Sequence, residues 1–287
     1  MSRTITRRST RFIAAAAALA SAGVVGTSTP AQAAYEDATM DLPRNTSKYA
    51  GVGPHRPYVQ EILIGGVVPL KNEALLNPTQ HGYLYRAGQQ NSDLTMTYTD
   101  GRLLFVDTAT ESWKWLPTAC TEVDVPQGVG ASCVIRTKFT DAAPMLVEVW
   151  PRLGNDVVDS TALPALFDVS FLGDKGDDVA YLGAGDDYIN GAQDADEGYG
   201  GDGRDWIRTG LADDFIDGGA DSDYLVGVDG NDTIYAGSGD DRLYGIDGDD
   251  KLFAGEGNDH VSCGNGADEA TLKSTDKAIA CETTNRS

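Results

Sequence analysis

Positive charge is scarce in this chain of 287 residues: 22 lysines and arginines stand against 44 aspartates and glutamates, for a net charge of −22. That balance excludes phosphate-rich partners, because nucleic acid and anionic membrane surfaces would be repelled. Histidine is nearly missing, with His55, His81 and His260 far apart in the sequence. There is no H-E-x-x-H, which removes the zinc-protease arrangement, and no G-x-S-x-G, which removes the esterase elbow. Acids such as Glu61 and Glu73 could pair for glycoside hydrolysis, but any chain this acidic offers such pairs. The D-x-[DN]-x-[DN]-G-x5-E loop of an EF-hand is absent too. The reading is of a protein that is not an enzyme.

Long apolar runs are confined to the start. Arg3, Arg7, Arg8 and Arg11 precede an alanine-rich stretch from Phe12 to Val25, and Ala31-Gln32-Ala33 supplies small residues at cleavage spacing. This pattern predicts a secretory signal peptide over residues 1–33, cut after Ala33. The run is too short and too rich in alanine for a membrane span, which needs about 20 apolar residues. Arg7-Arg8 hints at the twin-arginine route, but Phe12 falls at the wrong spacing for it. Loss of the four arginines leaves 18 − 44 = −26. A compact exported body with that charge repels itself unless cations neutralise it. In such a setting Cys120, Cys133, Cys263 and Cys281 predict two disulfides.

What is abundant is glycine and aspartate, and both are periodic. Residues 173–271 divide into eleven units of nine. The sixth position is always aspartate: Asp178, Asp187, Asp196, Asp205, Asp214, Asp223, Asp232, Asp241, Asp250, Asp259 and Asp268. The eighth is a large aliphatic in seven consecutive units, from Ile207 to Val261, and the fourth is glycine in eight, including Gly230, Gly239, Gly248 and Gly257. A solvated acidic face has no reason to hold three chemistries in one register.

These units resemble the G-G-x-G-x-D-x-U-x nonapeptide of the RTX (haemolysin-type) calcium-binding repeats, a motif long associated with parallel β-helices. Gly239-Asp240-Asp241-Arg242-Leu243 and Gly257-Asn258-Asp259-His260-Val261 match it well. The resemblance implies an all-β fold, a right-handed parallel β-roll with two units per turn, over residues 146–287. A small β-rich domain over residues 34–145 precedes it. It also implies several Ca²⁺ ions. Glycine allows the tight turn, and one aspartate with a few carbonyls supplies about half of the six to eight oxygens that calcium takes. The other half must come from the unit one turn away, so Asp241 would share a site with Asp259, and Asp232 with Asp250.

The expected ligands are Asp178, Asp187, Asp205, Asp223, Asp232, Asp241, Asp250, Asp259 and Asp268, with Gly230, Gly239, Gly248 and Gly257 shaping the turns. The third, fifth and sixth units carry Asp194, Ala212 and Asp221 in place of the fourth-position glycine, which casts doubt on sites built from them. A thin core needs metal binding to fold, so the calcium-free roll is expected to be disordered.

On such a roll Cys263 and Cys281, eighteen residues apart, stack one above the other, leaving Cys120 with Cys133. Continuing in nines puts Lys277 at the sixth position of a degenerate twelfth unit and Ile279 in its core. Upstream, Gly154-Asn155-Asp156-Val157-Val158 reads as one more repeat, displaced by a four-residue insertion. Asp100-Gly101 marks a hairpin between Leu94–Tyr98 and Leu103–Val106, and Met145–Trp150 reads as a strand. Tyr181, Tyr199, Tyr235, Tyr244 and Phe253 share the ninth position, an aromatic stripe open to a glycan or cell-surface partner. The functional expectation is a secreted, non-catalytic calcium-binding protein. The alternatives are an extracellular adhesin using the roll as scaffold, or a hydrolase with its site in the N-terminal region.

Overall fold

A computed structural model describes residues 72–286, apart from 80, 89 and 136–138. The signal peptide, His55, Glu61 and the rest of residues 34–71 lie outside the described residues. Every regular element described is a strand. The strands form two large sheets, of 11 and 12 strands, and a two-stranded ladder, giving a parallel solenoid of about eight turns.

The period explains the layering. Even-numbered units supply Tyr188–Asn190, Trp206–Leu211, Tyr224–Asp229, Arg242–Asp247 and His260–Asn265 to one sheet. Odd-numbered units supply Val179–Tyr181, Glu197–Asp202, Phe215–Ala220, Thr233–Ser238, Lys251–Phe253 and Glu269–Leu272 to the other. Neighbours pair in parallel at an offset of eighteen, as in Ile207↔Leu225↔Leu243↔Val261 and Ile216↔Ile234↔Leu252. Two units per turn is therefore the observed architecture. The eighth-position side chains fill the space between the sheets, all but sealed from solvent. Gly198, where the third unit lacks an aliphatic, leaves no void, since a Cβ there would meet Ile207 Cγ2 at 3.0 Å and Ile189 Cδ1 at 3.3 Å.

Positive φ angles reverse the chain between strands. At the fourth position Gly248 has φ 133°, and a Cβ on it would lie 1.7 Å from the Gly230 carbonyl oxygen one turn away. Asp194, Ala212 and Asp221 adopt positive φ at this position too, at 68°, 86° and 72°. The second position makes the same demand. It is met by glycine in several units but by Asp174 (φ 88°), Ala192 (φ 88°), Val228 (φ 117°) and Ile246 (φ 95°) in four.

The roll starts before the matched period. Val157–Ala162 pairs with Val179–Tyr181 at an offset of 22, the displaced repeat read from Asp156. Phe167–Leu172 joins Met145–Trp150 to Tyr188–Asn190. The same sheets continue further, since Gly82–Arg86 pairs in parallel with Met145–Trp150, and Asp93–Thr99 with Val157–Ala162. Beyond them the pairing turns antiparallel, except that Glu73–Pro78 pairs in parallel with Ser112–Trp115. Asp93–Thr99 and Arg102–Asp107 form the hairpin, with Asp100 and Gly101 both at positive φ, as a tight two-residue turn requires. Val129–Val134 and Cys120–Val123 complete that edge, with Cys120 directly opposite Cys133 and disulfide-bonded to it. One hydrophobic core runs from Ala74 to Leu272 through all of this.

The C-terminal end departs from the count in nines. Lys277 pairs with His260 at an offset of seventeen, so the last turn is one residue short. Leu272 stays in the core, and the chain from Lys273 to Asp276 closes tightly behind it, with the Asp276 N–H on the Lys273 carbonyl. Asp276, not Lys277, therefore occupies the sixth position. Ala278 takes the inward place, and Ile279 points out with 51% exposure. The expectation that Lys277 ends the aspartate ladder and Ile279 fills the core is overturned by this slip. Cys263 and Cys281 are bonded, with Cα atoms 5.0 Å apart. A final strand, Thr283–Arg286, pairs with Glu269–Leu272.

The aromatic stripe is also redrawn. Tyr244, from an even unit, sits on the opposite sheet from the other four. Phe215 joins Tyr181, Tyr199, Tyr235 and Phe253 in one row with ring centroids 4.4–5.7 Å apart. Tyr181 and Tyr199 stack on one another, as do Tyr235 and Phe253, so ring faces that a sugar would need are already covered by neighbouring rings.

Candidate metal centres

All eleven repeat aspartates point into the roll, with 1–4% of their surface exposed. Each turn places its carboxylate against the next. The N–H of Asp232 donates to Asp250 Oδ1 at 2.9 Å, and that of Asp241 to Asp259 Oδ1 at 3.0 Å. The same bond repeats along both sides of the roll. On the odd side it links Asp156, Asp178, Asp196, Asp214, Asp232, Asp250 and Asp268. On the even side it links Asp187, Asp205, Asp223, Asp241 and Asp259. Asp196 and Asp214, which the missing glycines made doubtful, stand in the ladder with the same geometry as the rest.

Both ladders outrun the nonapeptide pattern. Asp259 donates to Asp276 Oδ1 at 3.3 Å, and Asp268 to Glu282 Oε2 at 3.0 Å. Neither Asp276 nor Glu282 was legible as a member, because the one-residue slip hides the first and the offset of fourteen hides the second.

The second oxygen of each carboxylate decides what the ladder can hold. Oδ2 is buried and without a hydrogen-bond partner in Asp156, in Asp178 and in nine of the other repeat aspartates. In Asp187 alone it accepts a bond, from the Gly183 N–H at 3.3 Å. Glycine at the first position makes room for this oxygen. A Cβ at Gly218 would lie 2.5 Å from Asp223 Oδ2 and 2.7 Å from the Ala236 carbonyl oxygen, and Gly245 is flanked alike by Asp250 and Cys263. Carboxylate and carbonyl oxygens thus crowd the same small space.

Electrostatics make the point sharper. Burial pushes Asp178, Asp223 and Asp232 up to about 8, and Asp250 to about 7. The backbone N–H bond on Oδ1 pulls the other way, and the carboxylates of adjacent turns push up further. Asp241 rises to about 6, Asp187 to about 8, and Asp205, Asp259 and Asp268 are raised, burial again leading. A shift of about four units corresponds to on the order of 5 kcal/mol on ionisation. That rivals the whole stability of a small domain.

Asp107 is the counter-example. Its buried carboxylate accepts bonds from the Tyr85 and Ser92 hydroxyls, from Thr110 Oγ1 at 2.6 Å, and from the Asp93, Ala109 and Thr110 N–H groups. Burial would raise it, yet these donors outweigh burial and hold it below the ordinary carboxylate range. A fully bonded carboxylate needs no cation; the ladder carboxylates lack that provision. Nothing in the sequence period marked Asp107.

The donor set fits a hard cation. Among the described residues no three His, Cys, Asp or Glu side chains converge as a metal cluster. Side chains alone therefore do not make a site, and backbone carbonyls must complete one. Oxygen-only donors with one or two carboxylates suit calcium and do not suit zinc.

A second rail of side chains runs outside the first. At the fifth position the odd side reads Asn155, Asp177, Ala195, Asp213, Asn231, Asp249, Ala267. Acids alternate with neutral residues, and each acid's Oδ1 accepts the N–H of the next turn, as Asp213 does from Asn231 at 2.7 Å and Asp249 from Ala267 at 2.8 Å. This rail is satisfied without metal.

The family model of the RTX calcium-binding nonapeptide repeat matches the chain in four copies, at residues 170–197, 199–234, 226–261 and 235–269. No curated protein and no solved structure matches it.

Proposed function

We propose that this chain, whose residues 170–269 are RTX calcium-binding repeats, is an exported, non-catalytic calcium-binding protein whose roll folds when calcium arrives. The observation that carries the reading is the file of buried, unpartnered Oδ2 atoms. Bound Ca²⁺ would supply the positive charge and the oxygen-seeking coordination that these atoms lack. Asp178, Asp187, Asp205, Asp223, Asp232, Asp241, Asp250, Asp259 and Asp268 would hold it, with Asp196 and Asp214 added on equal geometry. Gly230, Gly239, Gly248 and Gly257 shape the turns that bring the carbonyls round.

Export after cleavage at Ala33 is supported by the basic and apolar run at the start and by the two disulfides, which persist in oxidising surroundings. The non-catalytic reading is supported by the sequence, which carries neither an H-E-x-x-H nor a G-x-S-x-G arrangement. The region before residue 146 is proposed to serve as the roll's N-terminal end piece.

Calorimetric titration of the mature chain with Ca²⁺ after chelation, followed in parallel by circular dichroism, tests this. The expected result is uptake of several ions with a coil-to-β change, and no such change with Mg²⁺ at equal concentration. Full β content in chelator, unaltered by Ca²⁺, would refute it.

A further inference from the structure

The one-residue slip at the C-terminal end has a second effect, on the outside of the roll. It moves Lys277 from the sixth position to the seventh, directly beside His260 and two strands from Arg242. Seventh-position side chains flank the inward eighth, so they face away from the core. Along this sheet the row reads Tyr188, Trp206, Tyr224, Arg242, His260, Lys277, aromatic for three turns and then basic for three. The opposite sheet has no such run. Its row ends Thr233, Lys251, Glu269, Thr283, with the lysine next to an acid.

Arg242, His260 and Lys277 line one cavity of about 300 Å³, together with Tyr244, Asn258, Asp259 and Thr275. The acids around it are committed elsewhere. Asp259 accepts the Asp241 N–H on Oδ1 at 3.0 Å, and its Oδ2 is buried away from solvent. Asp276 is buried and accepts the N–H groups of Asp259 and Lys273. Asp240 Oδ1 takes the Asn258 N–H at 3.0 Å and its side-chain amide at 3.2 Å. The Thr275 hydroxyl donates to the Gly257 carbonyl at 3.2 Å.

The basic groups are not balanced in this way. Lys277 is exposed and makes no ion pair among the described residues. His260 Nδ1 is buried without a hydrogen-bond partner, so no neighbour fixes the tautomer and Nε2 can carry the N–H. Arg242 is not without a partner, yet a guanidinium has five N–H donors to share. Two strand spacings, about 9.6 Å, separate the backbones of Arg242 and Lys277. Both are long enough to reach over the shorter imidazole between them.

We propose that this cavity binds a small oxyanion, the phosphate of a monoester or the carboxylate of an acidic sugar, over His260 and between Arg242 and Lys277. The acidity of the whole chain repels a polyanion at every charge, but a single oxyanion meets the three local bases, and charges more than about 8 Å off are screened at physiological salt.

The test is an NMR titration of the calcium-loaded mature chain, following the His260 ring resonances, assigned by their loss in His260→Gln. The probes are methyl phosphate, glucuronate and, as neutral control, methyl glucoside. Saturable shifts with either anion and none with the glucoside are the expected result, and the anion that binds more tightly identifies the source. Lys277→Gln should weaken that binding at least tenfold and Lys277→Arg by less than about threefold, with calcium stoichiometry unchanged in both. No saturable shift below 10 mM of either anion, an equal response to the glucoside, or undiminished binding in Lys277→Gln would each overturn the proposal. Calcium stoichiometry reads the ladders independently, so failure here is distinguishable from failure of the calcium reading.

Discussion

Two buried aspartates show how the same side chain takes opposite roles. Asp107 is surrounded by donors; Asp241 has one donor on Oδ1 and nothing on Oδ2. Asp107→Ala removes a carboxylate that several donors converge on, and should cost about 3 kcal/mol or more in the calcium-loaded protein while leaving its calcium stoichiometry unchanged. Asp241→Asn should lower calcium stoichiometry and the melting temperature in calcium, yet change nothing in chelator, where the proposed function has the roll unfolded. A denaturant titration in calcium, set beside calcium stoichiometry, separates the two. Backbone strain offers a third test. Ala212 sits at φ 86° where glycine is the usual occupant, so Ala212→Gly should stabilise the calcium-loaded protein by about 1 kcal/mol, read as a higher melting temperature.

At the scale of the element, the ladder couples folding to pH with a definite sign. The folded carboxylates titrate at about 6 to 8 in Asp241, Asp250 and Asp232, against about 3.9 in an unfolded chain. Without calcium, the folded state then binds more protons than the unfolded one, so stability falls as pH rises. It is fully present below about pH 4 and lost as the pH passes through the folded values. In chelator, β content should therefore be higher at pH 5 than at pH 8, and calcium uptake near neutrality should release protons. A pH-stat or dye readout during titration measures that release. The last turn is a separate element, closed by Cys263–Cys281 across eighteen residues. A loop of that size contributes about 3 kcal/mol, and Cys281→Ser should raise hydrogen exchange in residues 260–286 before it affects the turns around Asp205.

Across the whole molecule, the period made much of the structure legible. Aspartate every nine residues, an aliphatic two places later and cysteines eighteen apart led to the two parities, the inner column and the C-terminal disulfide, because each is a consequence of one repeating geometry. The hairpin at Asp100-Gly101 was legible for the same reason, a local rule with a local cause. What the period could not reveal lay where it breaks. Lys277 and Asp276 are adjacent, and only the packing of Leu272 decides which of them meets Asp259. The second-position demand was visible in Gly201, Gly219, Gly237 and Gly255, but Val228 and Ile246 disguised it. Tyr244 was assigned by its place in the unit, when parity decides the sheet.

That parity makes eighteen residues, not nine, the quantum in which such a protein can change length. Removing residues 236–253 takes out one full winding, after which every later strand returns to its own sheet and each carboxylate finds a neighbour of its own kind. Removing residues 236–244 alone would transpose every later strand to the opposite sheet. Phe253 would cross to the sheet opposite the row of Tyr181, Tyr199, Phe215 and Tyr235. The longer deletion should bind proportionately fewer calcium ions and melt cooperatively in calcium. The shorter one, though it discards half as much chain, should melt at lower temperature and over a broader range.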